Sequence, residues 1–151
     1  MIISDKIIET TIEIFTTMVM MEVSADGPLL VKSGTLCDTI TGMIGLAGTH
    51  KGVLAIHIPH YVALAITSSF LGMDVEEIND DVRDAVGELA NMLGGNIKNI
   101  LSENGRDIEL SLPSTVAGHE YDFSATTDVD LFILPFKTSA GNFMVELQLE
   151  K

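Results

Sequence analysis

The stretch from Asn79 to Ser114, NDDVRDAVGELANMLGGNIKNILSENGRDIELSLPS, decides how this chain folds. Asn79 can cap a helix, because its side-chain oxygen accepts from an amide left unpaired in the first turn. Asn104-Gly105 reads as the stop, since both residues tolerate the left-handed backbone that ends helices. At roughly 100° per residue, Val82, Val86, Leu89, Leu93, Ile97 and Ile100 fall on one face. Asp84, Glu88, Asn91, Gly95, Lys98 and Ser102 fall on the opposite one, within roughly 40° of Asp84. The pattern predicts an amphipathic helix from about Asn79 to Glu103, its apolar face in the core.

An ordinary solvated face accounts for the polar side by its pattern alone, but Asn91 and the Gly-Gly pair weaken that reading. Asn91 is a poor helix former at a mid-helix position where Ala, Lys or Glu would serve stability better. Each glycine of Gly94-Gly95 costs about 1 kcal/mol relative to alanine. A glycine at Gly95 lets another backbone come close. Packing of the Gly-Gly pair against a sheet is the competing explanation.

Outward from this helix, the chain alternates helix and strand signals. Ile8, Ile12, Phe15 and Val19 share one face of an earlier helix, expected from about Asp5 to Met21 with Ser4 as its cap. Thr35–Ala47 and Val53–Ile58 read as a hairpin turning at Gly48–Gly52. Pro59 can start a helix over Tyr61–Phe70, ending near Gly72. Strands are expected near Ile108–Leu112, Thr115–Tyr121, Val129–Lys137 and Asn142–Glu150. In the last of these Phe143, Val145, Leu147 and Leu149 alternate with Met144, Glu146, Gln148 and Glu150, predicting one buried and one wet face. Each half begins with a helix and contains a hairpin. The expected fold is α+β, a single domain over residues 1–151 with two pseudo-repeated halves and long helices on an antiparallel sheet.

Composition narrows the function. Eight Lys+Arg against 22 Asp+Glu leave a net charge of −14. So acidic a chain is repelled by phosphate backbones and by anionic lipid, which argues against nucleic-acid and membrane-surface partners. A hydrophobic fraction of 46% excludes intrinsic disorder. The one cysteine, Cys37, cannot make an internal disulfide. Met1-Ile2-Ile3-Ser4-Asp5 turns polar at once, and no apolar run reaches the ~20 residues of a membrane span. A cytoplasmic protein is expected.

Asp84-x3-Glu88-x2-Asn91, followed after 21 residues by Pro113, resembles the signature of the CheC/CheX/FliY family of chemotaxis phosphatases. The single copy, in the later half, is similar to the CheX branch. The resemblance implies hydrolysis of the aspartyl phosphate on a CheY-type response-regulator receiver. It implies that Glu88 meets a receiver lysine and that Asn91 holds the attacking water. Asp84 would contact the partner or simply favour the helix dipole near the N-terminal turns, and Pro113 would shape the strand after the helix; Gly95, from its missing side chain, is the further candidate for partner contact. No cofactor is expected on this chain, Mg2+ coming with the receiver. A homodimer built by sheet extension is implied as well, with the C-terminal strand a candidate for the edge. A carboxamide, with one acceptor and two donors, suits the orientation of water. The rival function is a non-catalytic receiver-binding module; a third is a small-molecule binding domain of the same fold.

The remaining signals are weaker. Glu13-x2-Thr16 in the first helix replaces the amide with a hydroxyl and is not expected to be a second active site. His50, His57 and His60 are expected at the surface or as caps, with no metal site anywhere in the chain. Gly42-x2-Gly45-x2-Gly48 lacks the helix of a phosphate loop and reads as close contacts in a sheet. Asp128 and Asp130 read as edge protection. Cys37 and the methionines Met18, Met20 and Met21 are expected in the core.

Overall fold

Two hairpins meet side by side in an antiparallel sheet of seven strands, and three helices cover one of its faces. The structure is a computed structural model that describes residues 3–124 and 128–151; Met1 and Ile2, part of the N-terminal reading above, lie outside it. In chain order the elements are α1 (Ile3–Ile14), continued by a π-helical turn (Phe15–Val19), then β1 (Val23–Ala25), β2 (Thr35–Gly48), β3 (Gly52–Pro59), α2 (His60–Leu71), α3 (Asp80–Leu101), β4 (Ile108–Leu110), β5 (Ser114–Asp122), β6 (Val129–Thr138) and β7 (Gly141–Glu150).

The strand order is β1-β6-β7-β3-β2-β4, with β5 also pairing β2. The hairpins β2–β3 and β6–β7 join through β3 and β7, so the sheet is symmetric about that central pair. The short strand after each helix crosses over: β1 pairs β6 of the other half, and β4 pairs β2. This is the α+β duplication expected from the sequence. β1 was not foreseen; three residues are too few to show a period.

Ile40, Ile44, Leu54, Ile56, Val145 and Leu147 form the sheet side of the core, with Val82, Val86, Leu89, Leu93 and Ile97 of α3 over them. Phe15, Phe143 and Phe136 stack in sequence at 4.9 and 5.3 Å between centroids, tying the first helix to the second hairpin. The close approach of α3 to β2 depends on glycine. A Cβ on Gly42 would stand 2.8 Å from the Val86 carbonyl oxygen, and one on Gly94 would stand 2.8 Å from Ile44 Cγ2.

Several expectations are corrected. The buried stripe of α1 is Ile7, Thr11 and Ile14, with Ser4 and Thr10 also buried inside the helix; Ile8 and Ile12 are only partly buried. Thr11 satisfies its hydroxyl by donating to the Ile7 carbonyl at 2.7 Å. Ile100, in the last turn of α3, is 37% exposed rather than in the core. Cys37, Met18 and Met20 are exposed; only Met21 packs against the core. β7 is no edge strand, since β3 and β6 flank it. Most of its second face is not wet either: Glu146 is 1% exposed and Gln148 7%, while Glu150 at the strand end is exposed. His57 is buried beside them, not at the surface. The segment between β1 and β2 first runs beside β6, held by Asp26 N–H to the Pro135 carbonyl (2.8 Å) and Leu30 N–H to the Ile133 carbonyl (2.9 Å), and its Ser33 and Thr35 then line cavities with Glu146 and with His57.

The α3–β2 contact makes a prediction. Gly42→Ala pushes a methyl against helix backbone that cannot swing aside, and is expected to destabilise the fold by about 1–3 kcal/mol in urea unfolding.

Candidate active site

Local chemistry sets α3 before any packing does. The Asn79 side-chain oxygen accepts from Val82 N–H at 3.2 Å, and Asp80 and Asp81 place negative charge on the first turn. Lys98 lies in the last turn, where a cation suits the carbonyl end. With the apolar stripe held by Gly42 and Gly94, the helix cannot rotate about its axis without a clash, so its opposite face is fixed toward solvent.

That face carries Asp84, Glu88 and Asn91, all exposed. None of the three makes a side-chain hydrogen bond or ion pair among the described residues. Glu88 and Asn91 are three residues apart, so their Cβ atoms are about 5–6 Å apart on neighbouring turns. An uncommitted carboxylate and an uncommitted carboxamide therefore stand together on a rigid helix. Beside them, Gly87 is buried and a Cβ there would lie 3.8 Å from Thr115 Cγ2, so the start of β5 runs along this part of the helix. Pro113 is exposed in the link between β4 and β5, two residues before that contact.

Gly94 and Gly95 separate in role. Gly94 is the packing glycine against Ile44, whereas a Cβ on Gly95 would meet nothing within 4 Å. Gly95 borders a groove of about 580 Å³ between α1 and α3, which Glu13, Thr17, Met92 and Asn99 also line. Asn96 bridges the two helices, its amide donating to Thr10 Oγ1 at 2.5 Å. No periodic pattern announces this groove, since Asn96 falls on neither face of the wheel. Glu13 faces the groove, but Thr16 lies in the π-helical turn and lines a different depression, with Ile12 and Met20. The wider turn breaks the register that an E-x-x-T pair needs.

The far end of α3 is tied down by Asp107. Its carboxylate accepts from the hydroxyls of Ser102 and Thr49 and from Glu103 N–H. The Ser102 hydroxyl leads these contacts in holding the Asp107 carboxyl well below the usual aspartate range. Ser102, on the polar face, is thus a structural anchor. Among the described residues no three His, Cys, Asp or Glu converge as a metal would require, and no helix is long and apolar enough to cross a membrane.

Residues 40–137 match the family model described as chemotaxis phosphatase CheX, a span that includes all of α3 and Pro113. The chain belongs to the CheX family. The CheY-P phosphatase CheX of Thermotoga maritima is 24% identical over 119 residues, 78% of this chain and 77% of that protein. A CheC-like superfamily protein from Shewanella sp. PV-4 superposes with a TM-score of 0.87 at 29% identity, covering 100% of both chains. The CheX–CheY–BeF3–Mg2+ complex of Borrelia burgdorferi contains a chain of the same fold, with a TM-score of 0.77, 17% identity and 97% of each chain covered. The relatives share the fold, and α3 lies within the span that matches the family.

Asp107 makes the pH-dependent prediction of this end of the site. Its folded-state pKa is depressed, so its contribution to stability is full above the unfolded value of about 4 and is lost as pH falls below it. The stability gap between the native chain and Asp107→Asn, read from urea midpoints, should shrink between neutral pH and about pH 3.

Proposed function

We propose that this chain hydrolyses the aspartyl phosphate of a CheY-like receiver in chemotaxis or two-component signalling. The observation that carries the reading is the exposed Glu88–Asn91 pair on a helix whose rotation is fixed. A binding module needs no uncommitted carboxamide one turn from its anchor. Water attack on an acyl phosphate needs one, because the phosphoryl group requires an in-line nucleophile and little covalent help.

In this reading Glu88 pairs with a receiver lysine and sets the register of the complex. The Asn91 carbonyl oxygen accepts a hydrogen bond from the water, while its amide donates toward the phosphoryl oxygens. Asp84 and Gly95 extend the contact along the same face, Gly95 leaving room for partner backbone. Pro113 directs the entry of β5 beside Gly87. The Mg2+ belongs to the receiver, in keeping with the Borrelia assembly that contains CheY and Mg2+. The whole chain acts as one domain in the cytoplasm.

The protein is further proposed to be a homodimer. β7 lies inside the sheet and is not available, but β5 is an outer strand with exposed apolar Leu112 (87%) just before it and Val116 (44%) within it. Such an edge favours pairing with another strand. Light scattering should give about twice the chain mass of 16.2 kDa. A monomer at micromolar concentration would rule the dimer out.

Two variants separate catalysis from binding. Asn91→Ala should lower the acceleration of receiver dephosphorylation by about 100-fold or more, while still binding a BeF3-activated receiver. Glu88→Ala should weaken that binding by about tenfold or more. Wild-type acceleration by Asn91→Ala would show that the amide does not hold the water.

A further inference from the structure

On the sheet face away from the helices, hydrogen-bonded side chains cross four strands. Tyr121 Oη lies 2.6 Å from Thr41 Oγ1, which lies 2.7 Å from His57 Nδ1. His57 Nε2 lies 3.0 Å from Glu146 Oε1, and the Gln148 amide donates to Glu146 Oε2 at 2.7 Å. Burial raises the pKa of the Tyr121 phenol, so its hydroxyl stays protonated and can donate to Thr41. Thr41, His57, Glu146 and Gln148 are all buried.

Sheet stability does not call for this arrangement. Removing a carboxylate from water is costly even when it is paired, and apolar residues of similar volume often serve as well or better. Nor does the phosphatase reading use it, for the helices stand on the other face.

Glu146 does border an open space. A cavity of about 400 Å³ lies beneath residues 32–35 and 122–124, with Glu146 in its lining and Phe123, Leu131 and Ile133 as apolar walls. A second, of about 320 Å³, shares Ser33 and Thr35 with the first and reaches His57. The two cover segments are joined where the Ser33 hydroxyl donates to the Phe123 carbonyl at 3.3 Å. Among the described residues each Glu146 oxygen has one partner, and a carboxylate oxygen can accept more than one bond. The Phe123 ring stands edge-on to His57, 4.9 Å between centroids, against the same network. A buried carboxylate beside an aromatic ring is the combination that recognises an ammonium group. Lys32, the cation in the lining, is exposed and favours a neutral or anionic far end over a second cation.

We propose that this cavity binds a small molecule with an apolar body and one ammonium group, the ammonium resting on the Glu146 carboxylate and the Phe123 ring. Binding is read without a receiver, so the site stands or falls independently of the phosphatase reading.

The test is an NMR titration with cyclohexylamine, protonated at neutral pH, against its neutral counterpart cyclohexanol. Saturable shifts are expected at Ser33, Thr35, His57 and Glu146, in the millimolar range usual for so small a molecule. Cyclohexanol should bind about tenfold or more weakly, and Glu146→Gln should weaken cyclohexylamine by a similar factor. Leu131→Trp, at a partly exposed wall, should block binding while leaving the urea midpoint unchanged; this arm and the cyclohexanol comparison decide if Glu146→Gln fails to fold. No saturable binding by the native chain, equal binding of cyclohexanol, or undiminished binding by folded Leu131→Trp would each overturn the site.

Discussion

The contact between α3 and β2 governs everything else. Two glycines, one on each element, bring a 22-residue helix so close to the sheet that Val86 and Ile44 take the space of missing side chains. Apolar burial alone would hold α3 against the sheet, yet it is non-directional and would tolerate small rotations. Steric complementarity at Gly42 and Gly94 does not. The helix is held in one orientation, and the face that carries Glu88 and Asn91 is aimed by the core rather than by contacts of its own. Catalysis by positioning requires such rigidity, because misplacement by about 1 Å can cost about 100-fold in rate.

How much of this was legible in the sequence follows from the kind of signal each element carries. α3 has a capping Asn79, acidic residues in its first turn, an unbroken apolar stripe and an Asn-Gly stop, and every one of these acts locally. It was readable to within a few residues, and so was its exposed motif. The hairpins were readable because alternation and turn glycines are also local. The rotation of α1 is not legible, because its buried face uses Ser4, Thr10 and Thr11 in place of apolar residues, and Thr10 and Thr11 are buried with their hydroxyls bonded within the fold. β7 shows the sharper limit. A period of two tells which residues share a face, but not whether a distant loop covers it. Glu146 lines a cavity together with residues 32–35, more than 100 residues earlier in the chain, and no local pattern records that.

The two faces of the sheet thereby acquire different roles. One packs the helices and presents the motif outward. The other keeps a polar network beneath a cover of chain. The net charge of −14 bears on how a partner would be met. Receiver active sites are themselves acidic around their Mg2+, so long-range attraction does not bring the partners together. If the chain acts on a receiver as proposed, recognition rests on short-range pairs, and the proposed Glu88–lysine contact is of the kind that fixes register more than encounter rate.

The central claim is catalytic turnover on a receiver. The most direct measurement is the decay of a phosphorylated CheY-like receiver, followed with Mg2+ present and with this protein at a small fraction of the receiver concentration. Decay of the whole receiver pool, at a rate proportional to the amount of protein added, is the predicted result. A receiver lifetime unchanged by the protein, despite measurable binding between the two, would contradict the account and leave a recognition module.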